Sequence, residues 1–151
     1  MATIHATITS PASPQACFDH VADFTTTADW DPGITSARRL DDGPIHLGSR
    51  FEVGVRLGVI SVPFVYEITV LEPGERVVLT THGLAHHGVD DVRFAPAADG
   101  GTEVTWNAEF RVRGPGRLID PALGVGFRRV AKAAVAGLEQ ALQQLGSPAE
   151  R

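Results

Sequence analysis

A few side chains in this 151-residue sequence could do hydrogen-bonding or acid–base chemistry inside an apolar pocket. Tyr66 and Trp106 lie on the apolar side of alternating segments, and each can donate a hydrogen bond while presenting an apolar body. Each side chain could orient a ligand oxygen, or could be tied to a buried backbone carbonyl. Asp90 shares the parity of Val92 and Phe94, and a carboxyl group on that face would have a raised pKa and could anchor a ligand.

A second placement of Asp90 is open from the sequence. If the strand begins only at Asp91, Asp90 lies in an exposed loop, and we favour this placement. In that case Asp90 has no role in a pocket.

Three histidines, His82, His86 and His87, surround the glycine-flanked segment 83–88. Zinc needs three or four ligands that converge at about 2 Å, and no spacing here sets such geometry, so we predict no metal site. We interpret the segment as a mobile hairpin tip at a cavity mouth, where His86 could act as an acid or base.

The elements that must position these residues follow from hydrophobic periodicity. Thr3–Thr9 alternates as a half-buried strand, and Ser13 followed by Pro14 begins a short helix. A second short helix or turn is predicted over Thr25–Asp29. Alternating segments then predict six antiparallel strands, each with one wet face. They begin at Ile34 and run to Val112.

The sequence ends in a long amphipathic helix. It is predicted from Asp120, an N-cap followed by proline, to about Leu145, and it stops at Gly146. Apolar residues at spacings of three and four form one stripe. The stripe comprises Leu123, Phe127, Val130, Ala131, Ala134, Leu138, Leu142 and Leu145.

Composition excludes several function classes. The net charge is −5 without a basic cluster, so nucleic acid is not an expected partner. No apolar run approaches the roughly 20 residues that span a bilayer, so we expect no stable membrane insertion. The segment Met1–His5 lacks the features of a signal peptide, and we expect a cytoplasmic location. Cys17 is the single cysteine, so no intrachain disulfide can form, and we interpret it as an inert core thiol.

The order of motifs resembles the polyketide cyclase/dehydrase and lipid-transport family of START-like proteins. The residues that carry the resemblance are Trp30-Asp31-Pro32, Gly48-Ser49-Arg50-Phe51, Tyr66-Glu67-Ile68, Glu72-Pro73-Gly74, Gly101-Thr102-Glu103-Val104-Thr105-Trp106 and Gly114. The resemblance implies an α+β helix-grip fold. In this fold a curved seven-stranded antiparallel sheet, with two short helices after its first strand, surrounds the long C-terminal helix. We expect a single domain over residues 1–146 and a flexible tail over 147–151.

The resemblance also implies an apolar ligand pocket between the sheet and the helix. These residues could instead fill a solid core, but small helix residues favour a cavity of about 300–1,000 Å³. The predicted ligand-binding residues are Trp30, Phe51, Val53, Val55, Phe64, Tyr66, Ile68, Leu79, Val92, Trp106, Ala108, Phe110, Leu123, Phe127, Ala131 and Ala134.

Three functional hypotheses follow. The first is the binding or transport of a hydrophobic small molecule such as a lipid, polyketide or aromatic compound. The second is an aldol-type cyclase or dehydratase in which Tyr66, His86 or Asp90 moves protons, and it requires two of these groups in one cavity. The third is a protein-interaction domain without a small ligand. We predict no cofactor, and the sequence leaves a homodimer open.

Overall fold

An antiparallel sheet with the strand order β1-β7-β6-β5-β4-β3-β2 forms the body of the protein. A computed structural model describes residues 2–57, 59–112 and 120–146, with side chains described for all of these except residues 2, 57 and 120–127. Within these residues the elements are β1 (Ala2–Ser10), α1 (Pro14–Ala22), a 3-10 turn (Phe24–Thr26), α2 (Thr27–Trp30), β2 (Ile34–Arg39), β3 (Arg50–Leu57), β4 (Ile60–Glu72), β5 (Arg76–His82), β6 (His86–Pro96), β7 (Thr102–Val112) and α3 (Asp120–Leu145).

Period-two alternation gives the sheet one apolar face, which we call the inner face. Val77, Leu79 and Thr81 of β5 are buried on it, and so are Phe64 and Tyr66 of β4. Consecutive strands from β2 to β7 are neighbours, and the first strand pairs with the last. The core lies between the inner face and the helices.

The turns that set this register use residues suited to them. Ser13 caps α1 by accepting a hydrogen bond from the N–H of Ala16, and Pro14 occupies its first turn. Gly74 adopts a φ of 74° in the turn between β4 and β5, a conformation that favours glycine. The start of α1 at Ser13 and Pro14 was predicted from the sequence.

Helix α3 packs against β1 and also against α2. A Cβ atom on Gly137 would lie 1.9 Å from the backbone oxygen of Trp30, so the contact between α3 and α2 requires glycine there. Ala134, Leu138 and Leu142 of the predicted stripe are buried. Val130 is 43% exposed, so its predicted place in the stripe was wrong, and it lies at the margin beside Gly33.

The predicted fold class is the observed one, with small shifts at element ends. The predicted helix or turn at Thr25–Asp29 is a 3-10 turn followed by the four-residue α2. The predicted tail at 147–151 and Gly114 of the resemblance motifs lie outside the described residues.

Candidate functional site

Asp90 lies in the middle of the inner face. Strand β6 begins at His86, so the favoured placement of Asp90 in an exposed loop was wrong. The strand extends further because the whole segment from His82 to Arg76 pairs with it. A single row of opposed residues crosses five strands, and Asp90 is its one polar member. The row is Ile68, Leu79, Asp90, Ala108 and Ile4.

The carboxyl group of Asp90 accepts a hydrogen bond from Trp106 Nε1 at 2.9 Å. Burial raises the pKa of Asp90 from an ordinary value of 3.8 to about 6, the hydrogen bond from Trp106 opposes that rise, and the charge of Asp31 adds to it. The residue is nevertheless only half-buried by surface area. Both observations hold if the carboxyl group faces a space inside the fold.

Tyr66 brings a hydroxyl group to the same region from β4. The side chain is only 9% exposed, and no hydrogen bond joins its hydroxyl group to any residue in the described part of the chain. Burial raises the pKa of Tyr66 well above its ordinary value, and the charges of Asp90 and Asp31 raise it further. The phenol is therefore protonated at neutral pH and close to both carboxyl groups.

Asp31 and Trp30 approach these groups from the connection between α2 and β2. The ring of Trp30 meets that of Trp106 edge-to-face, with centroids 5.9 Å apart. Asp31 accepts a hydrogen bond from the N–H of Gly33 at 2.8 Å, which fixes the turn. Burial raises the pKa of Asp31, although the bond from Gly33 lowers it. The carboxyl groups of Asp31 and Asp90 and the phenol of Tyr66 thus lie in one region, beside the rings of Trp30 and Trp106.

His86 lies on the inner face but nearer the hairpin between β5 and β6. Its ring stacks on Phe64 at 4.3 Å and on Phe110 at 6.1 Å. Its Nε2 is 3.2 Å from Thr81 Oγ1. His86 and Asp90 are four residues apart on one strand, which separates their Cα atoms by about 13 Å. Tyr66 opposes Thr81, and Thr81 opposes Gly88, so by strand register Tyr66 lies midway between His86 and Asp90. The charge of Asp90 acts on Tyr66, whereas His86 contacts Thr81, the cross-strand partner of Tyr66.

The predicted ligand-binding residues divide by burial. Those that are half-buried leave part of their surface uncovered on the inner face or on the facing helix: Trp30, Val55, Ala108, Phe110 and Ala131. Those that are buried are Phe51, Val53, Phe64, Tyr66, Ile68, Leu79, Val92, Trp106 and Ala134. Leu123 and Phe127 lie outside the residues whose side chains are described.

An open groove with a volume of about 490 Å³ lies between β1 and α3. Ile4 and Ala6 line it from the inner face, opposite Ala108 and Trp106 on β7, and Ala131 lines it from α3. Thr3 and His5, on the other side of β1, line it as well, so it opens around the sheet edge. Asp90, Tyr66 and Trp106 are not among the residues that line this groove.

Across residues 2–57, 59–112 and 120–146, no three side chains of His, Cys, Asp or Glu are grouped so that they could hold a metal ion. None of the described helices is long and apolar enough to cross a membrane. The free thiol of Cys17 is buried in the core.

A family model described as polyketide cyclase / dehydrase and lipid transport matches residues 1–143. The chain belongs to this family. This membership confirms the resemblance inferred from the motifs. The description of the family names more than one kind of activity. No curated protein matches the sequence.

Solved structures show the fold of this family in distant relatives. The Zhui aromatase/cyclase from Streptomyces sp. R1128 is 16% identical with a TM-score of 0.77, over 97% of this chain and 96% of that one. A START superfamily protein from Mycobacterium smegmatis is 16% identical with a TM-score of 0.74, over 96% and 99%. A protein from Thermus thermophilus is 15% identical with a TM-score of 0.77, over the same shares. At these identities the likeness shows the START-like fold alone.

Two residues near the candidate site were not predicted to belong to it. Asp31 is part of the Trp30-Asp31-Pro32 motif that carries the family resemblance. Since Trp30 was predicted to bind the ligand, its neighbour Asp31 could have been included in the site from the sequence. Phe24 packs on Tyr66 with ring centroids 5.1 Å apart. It lies in a short turn without periodicity, so the sequence held no comparable signal for it.

Proposed function

We propose that this family member binds a hydrophobic small molecule between the inner face of the sheet and α3. The observation that carries the proposal is the row across five strands in which Asp90 is the one polar residue among apolar neighbours. Apolar walls with a few converging polar groups are typical of small-molecule sites. Asp90, Tyr66 and Trp106 form the polar end of the pocket, and the half-buried apolar residues form its walls.

The incomplete burial of the wall residues supports this function. Val55, Ala108 and Phe110 lie on the inner face, where a solid core would cover them. Family membership supports it too, since the family description includes lipid transport. The pairing of Trp30 with Trp106 turns an aromatic side chain inward, which favours a ligand pocket over a protein-docking patch at Trp30.

Filling the pocket tests the proposal. Ala108→Phe adds a ring beside Asp90 that fills space in the proposed pocket. The neutral fluorescent probe N-phenylnaphthylamine can then bury less apolar area, so we expect it to bind at least roughly ten-fold more weakly. Thr105→Phe, which adds the same ring on the outer face of β7, is the matched control and should bind like the wild type. Fluorescence titration gives both affinities, and circular dichroism checks the fold. Equal binding by the two variants would contradict the proposal.

A second candidate function is proton transfer on a bound carbonyl compound, as in an aldol-type cyclase or dehydratase. It is favoured by the pKa of Asp90, since a base with a pKa near 6 in a partly dry site is suited to proton abstraction at neutral pH. Asp90 takes a proton from the carbon next to the carbonyl group, and the protonated Tyr66 donates a hydrogen bond to the carbonyl oxygen as the enolate forms. In a dehydration the enolate then re-forms the carbonyl group as the bond from the β-carbon to its hydroxyl oxygen breaks. The leaving hydroxyl group takes the proton from Asp90 and departs as water, which leaves a carbon–carbon double bond.

This activity is measured with a fluorogenic β-hydroxyketone. We expect Asp90→Asn to lower turnover by about 10²–10⁴-fold, the range for loss of a general base. Asp91→Asn, with the same change of charge on the outer face, should keep the wild-type rate. Wild-type turnover no faster than the buffer reaction would rule out catalysis on this substrate class and leave the binding proposal standing.

A further inference from the structure

The polar end of the pocket selects among hydrophobic ligands by the chemistry of their head group. We infer that the ligand carries an uncharged hydroxyl group, as an alcohol or a phenol, and that carboxylate and phosphate heads are rejected. This inference rests on the proposed binding function. It follows from the hydrogen-bonding capacity that Asp90 and Tyr66 retain.

Asp90 needs a donor from the ligand. An ionised carboxylate only accepts hydrogen bonds, with about four lone-pair sites on its two oxygens. In the described residues one bond reaches this carboxylate, from Trp106 to Oδ1. A ligand that donates a hydrogen bond to Asp90 therefore gains a charge-assisted interaction, whereas a ligand that can only accept leaves the carboxylate without a second partner.

Tyr66 needs a partner that can accept. Its side chain is almost fully buried, and none of the described residues forms a hydrogen bond with its hydroxyl group. The hydroxyl oxygen is not among the buried unpaired atoms of the described residues, so it borders open space. An acceptor atom on the ligand can take up its hydrogen bond there. Tyr66 on β4 and Asp90 on β6 face the same side of the sheet with only β5 between their strands. A ligand hydroxyl group placed between them would accept from Tyr66 and donate to Asp90. An ammonium head can serve Asp90 only, since it has no lone pair for the phenol.

An anionic head meets two negative neighbours. Asp31 follows Trp30, whose ring lies 5.9 Å from that of Trp106, and Trp106 donates to Asp90. The charge of Asp31 accordingly raises the pKa of Asp90. A ligand carboxylate or phosphate would place a third negative charge beside them, and like charges in a partly dry site repel strongly. Fatty acids and phospholipids are therefore poor ligands, although their tails would suit the apolar walls.

The test compares the affinities of ligands that differ in their head group but share the same apolar group. Decanol with decanoate, and naphthol with naphthoate, are titrated as competitors of N-phenylnaphthylamine at about pH 8. We expect each hydroxyl compound to bind at least roughly ten-fold more tightly than its carboxylate partner. Decylamine is attracted by the two carboxylates, but taking its ammonium group out of water has a large free-energy cost. Because it also leaves Tyr66 without an acceptor, it should bind more weakly than decanol.

Variants locate the source of the preference. Asp90→Asn keeps an acceptor for Trp106 but removes the charge, so the ratio of hydroxyl to carboxylate affinity should fall by roughly ten-fold or more. Asp91→Asn makes the same change of net charge on the opposite face, beside Arg76, and should leave the ratio unaltered. Tyr66→Phe should weaken binding of the hydroxyl compounds several-fold, as expected for one lost hydrogen bond.

The outcomes separate this inference from the proposed function. Carboxylates that bind as tightly as the hydroxyl compounds, or equal shifts of the ratio in Asp90→Asn and Asp91→Asn, would overturn the head-group selection while binding itself stands. Decylamine binding more tightly than decanol would replace the hydroxyl head with a cationic one. Failure of the probe and of all five competitors to bind would remove the proposed function and this inference with it.

Discussion

The carboxyl group of Asp41 is saturated with partners, whereas that of Asp90 has one in the part of the chain that the structure describes. Asp41 accepts from the N–H of Arg50 at 2.9 Å and from the guanidinium of Arg39 at 2.9 Å, with His46 also 2.9 Å away. These bonds close the loop between β2 and β3. Among the described residues only Trp106 donates to Asp90, within a sheet that already holds its backbone in place.

The pKa values of the two residues move in opposite directions for this reason. The backbone bond from Arg50, followed by the bond from Arg39, lowers the pKa of Asp41 to about 2. Burial raises the pKa of Asp90 to about 6. Donors stabilise the charged form, and loss of water destabilises it. The loop carboxylate therefore contributes to stability, while the pocket carboxylate costs stability and retains bonding capacity for a ligand.

The largest expected effect concerns how the pocket is assembled. Asp41 is held by residues close to it in the sequence. The Asp90 region instead includes Trp30 of α2, and α3 packs against α2 at Gly137. We expect Gly137→Ala to lower the free energy of unfolding by about 3 kcal/mol or more, because its Cβ would overlap the Trp30 carbonyl. Helix propensity alone predicts a gain of about 1 kcal/mol, so the sign is diagnostic. Urea denaturation measures the change.

Ala133→Gly, at an exposed position of the same helix, is the control for propensity. It should cost about 1 kcal/mol. If Gly137→Ala were as stable as the wild type, the close contact between α2 and α3 would be wrong.

The second largest expected effect is the pH dependence of stability, which differs between Asp90 and Asp41. The folded pKa of Asp90 lies above its ordinary 3.8, so its contribution to stability is greatest below about pH 4 and is lost as pH rises through 6. Asp90→Asn removes this penalty. We expect the variant to gain up to about 3 kcal/mol on the wild type between about pH 4 and pH 8, from roughly two pKa units at 1.36 kcal/mol each. Urea denaturation at both pH values gives the difference.

Asp41→Asn is the matched variant with the opposite sign. The folded pKa of Asp41 lies below 3.8, so its stabilising contribution is present above that value and is lost as pH falls through 2. The melting temperature of this variant should lie below that of the wild type at neutral pH, and the gap should close in acid. If both aspartate variants shifted stability in the same direction at neutral pH, the contrast between loop and pocket would fail.

The sequence predicted the sheet and the helices better than the site, for physical reasons. Alternation and caps are local signals, so Tyr66 and Trp106 were placed on the inner face and Ser13 at a helix start. The placement of Asp90 depended on where β6 begins, which its pairing with β5 decides, and a polar residue weakens the alternation there. Asp31 reaches the site through contacts between α2, α3 and the sheet. No local pattern encodes such contacts.

The smallest expected effect concerns Tyr66, and it tests whether the pocket hydroxyl group is free for a ligand. Because no described residue bonds to this hydroxyl group, Tyr66→Phe should change the free energy of unfolding by less than about 1 kcal/mol. Tyr66 packs on Phe24, and phenylalanine keeps that ring contact. A loss of about 2 kcal/mol or more in urea denaturation would mean that the hydroxyl group has a structural partner. In that case Tyr66, like Asp41, would serve the fold, and Asp90 would remain as the polar group left for a ligand.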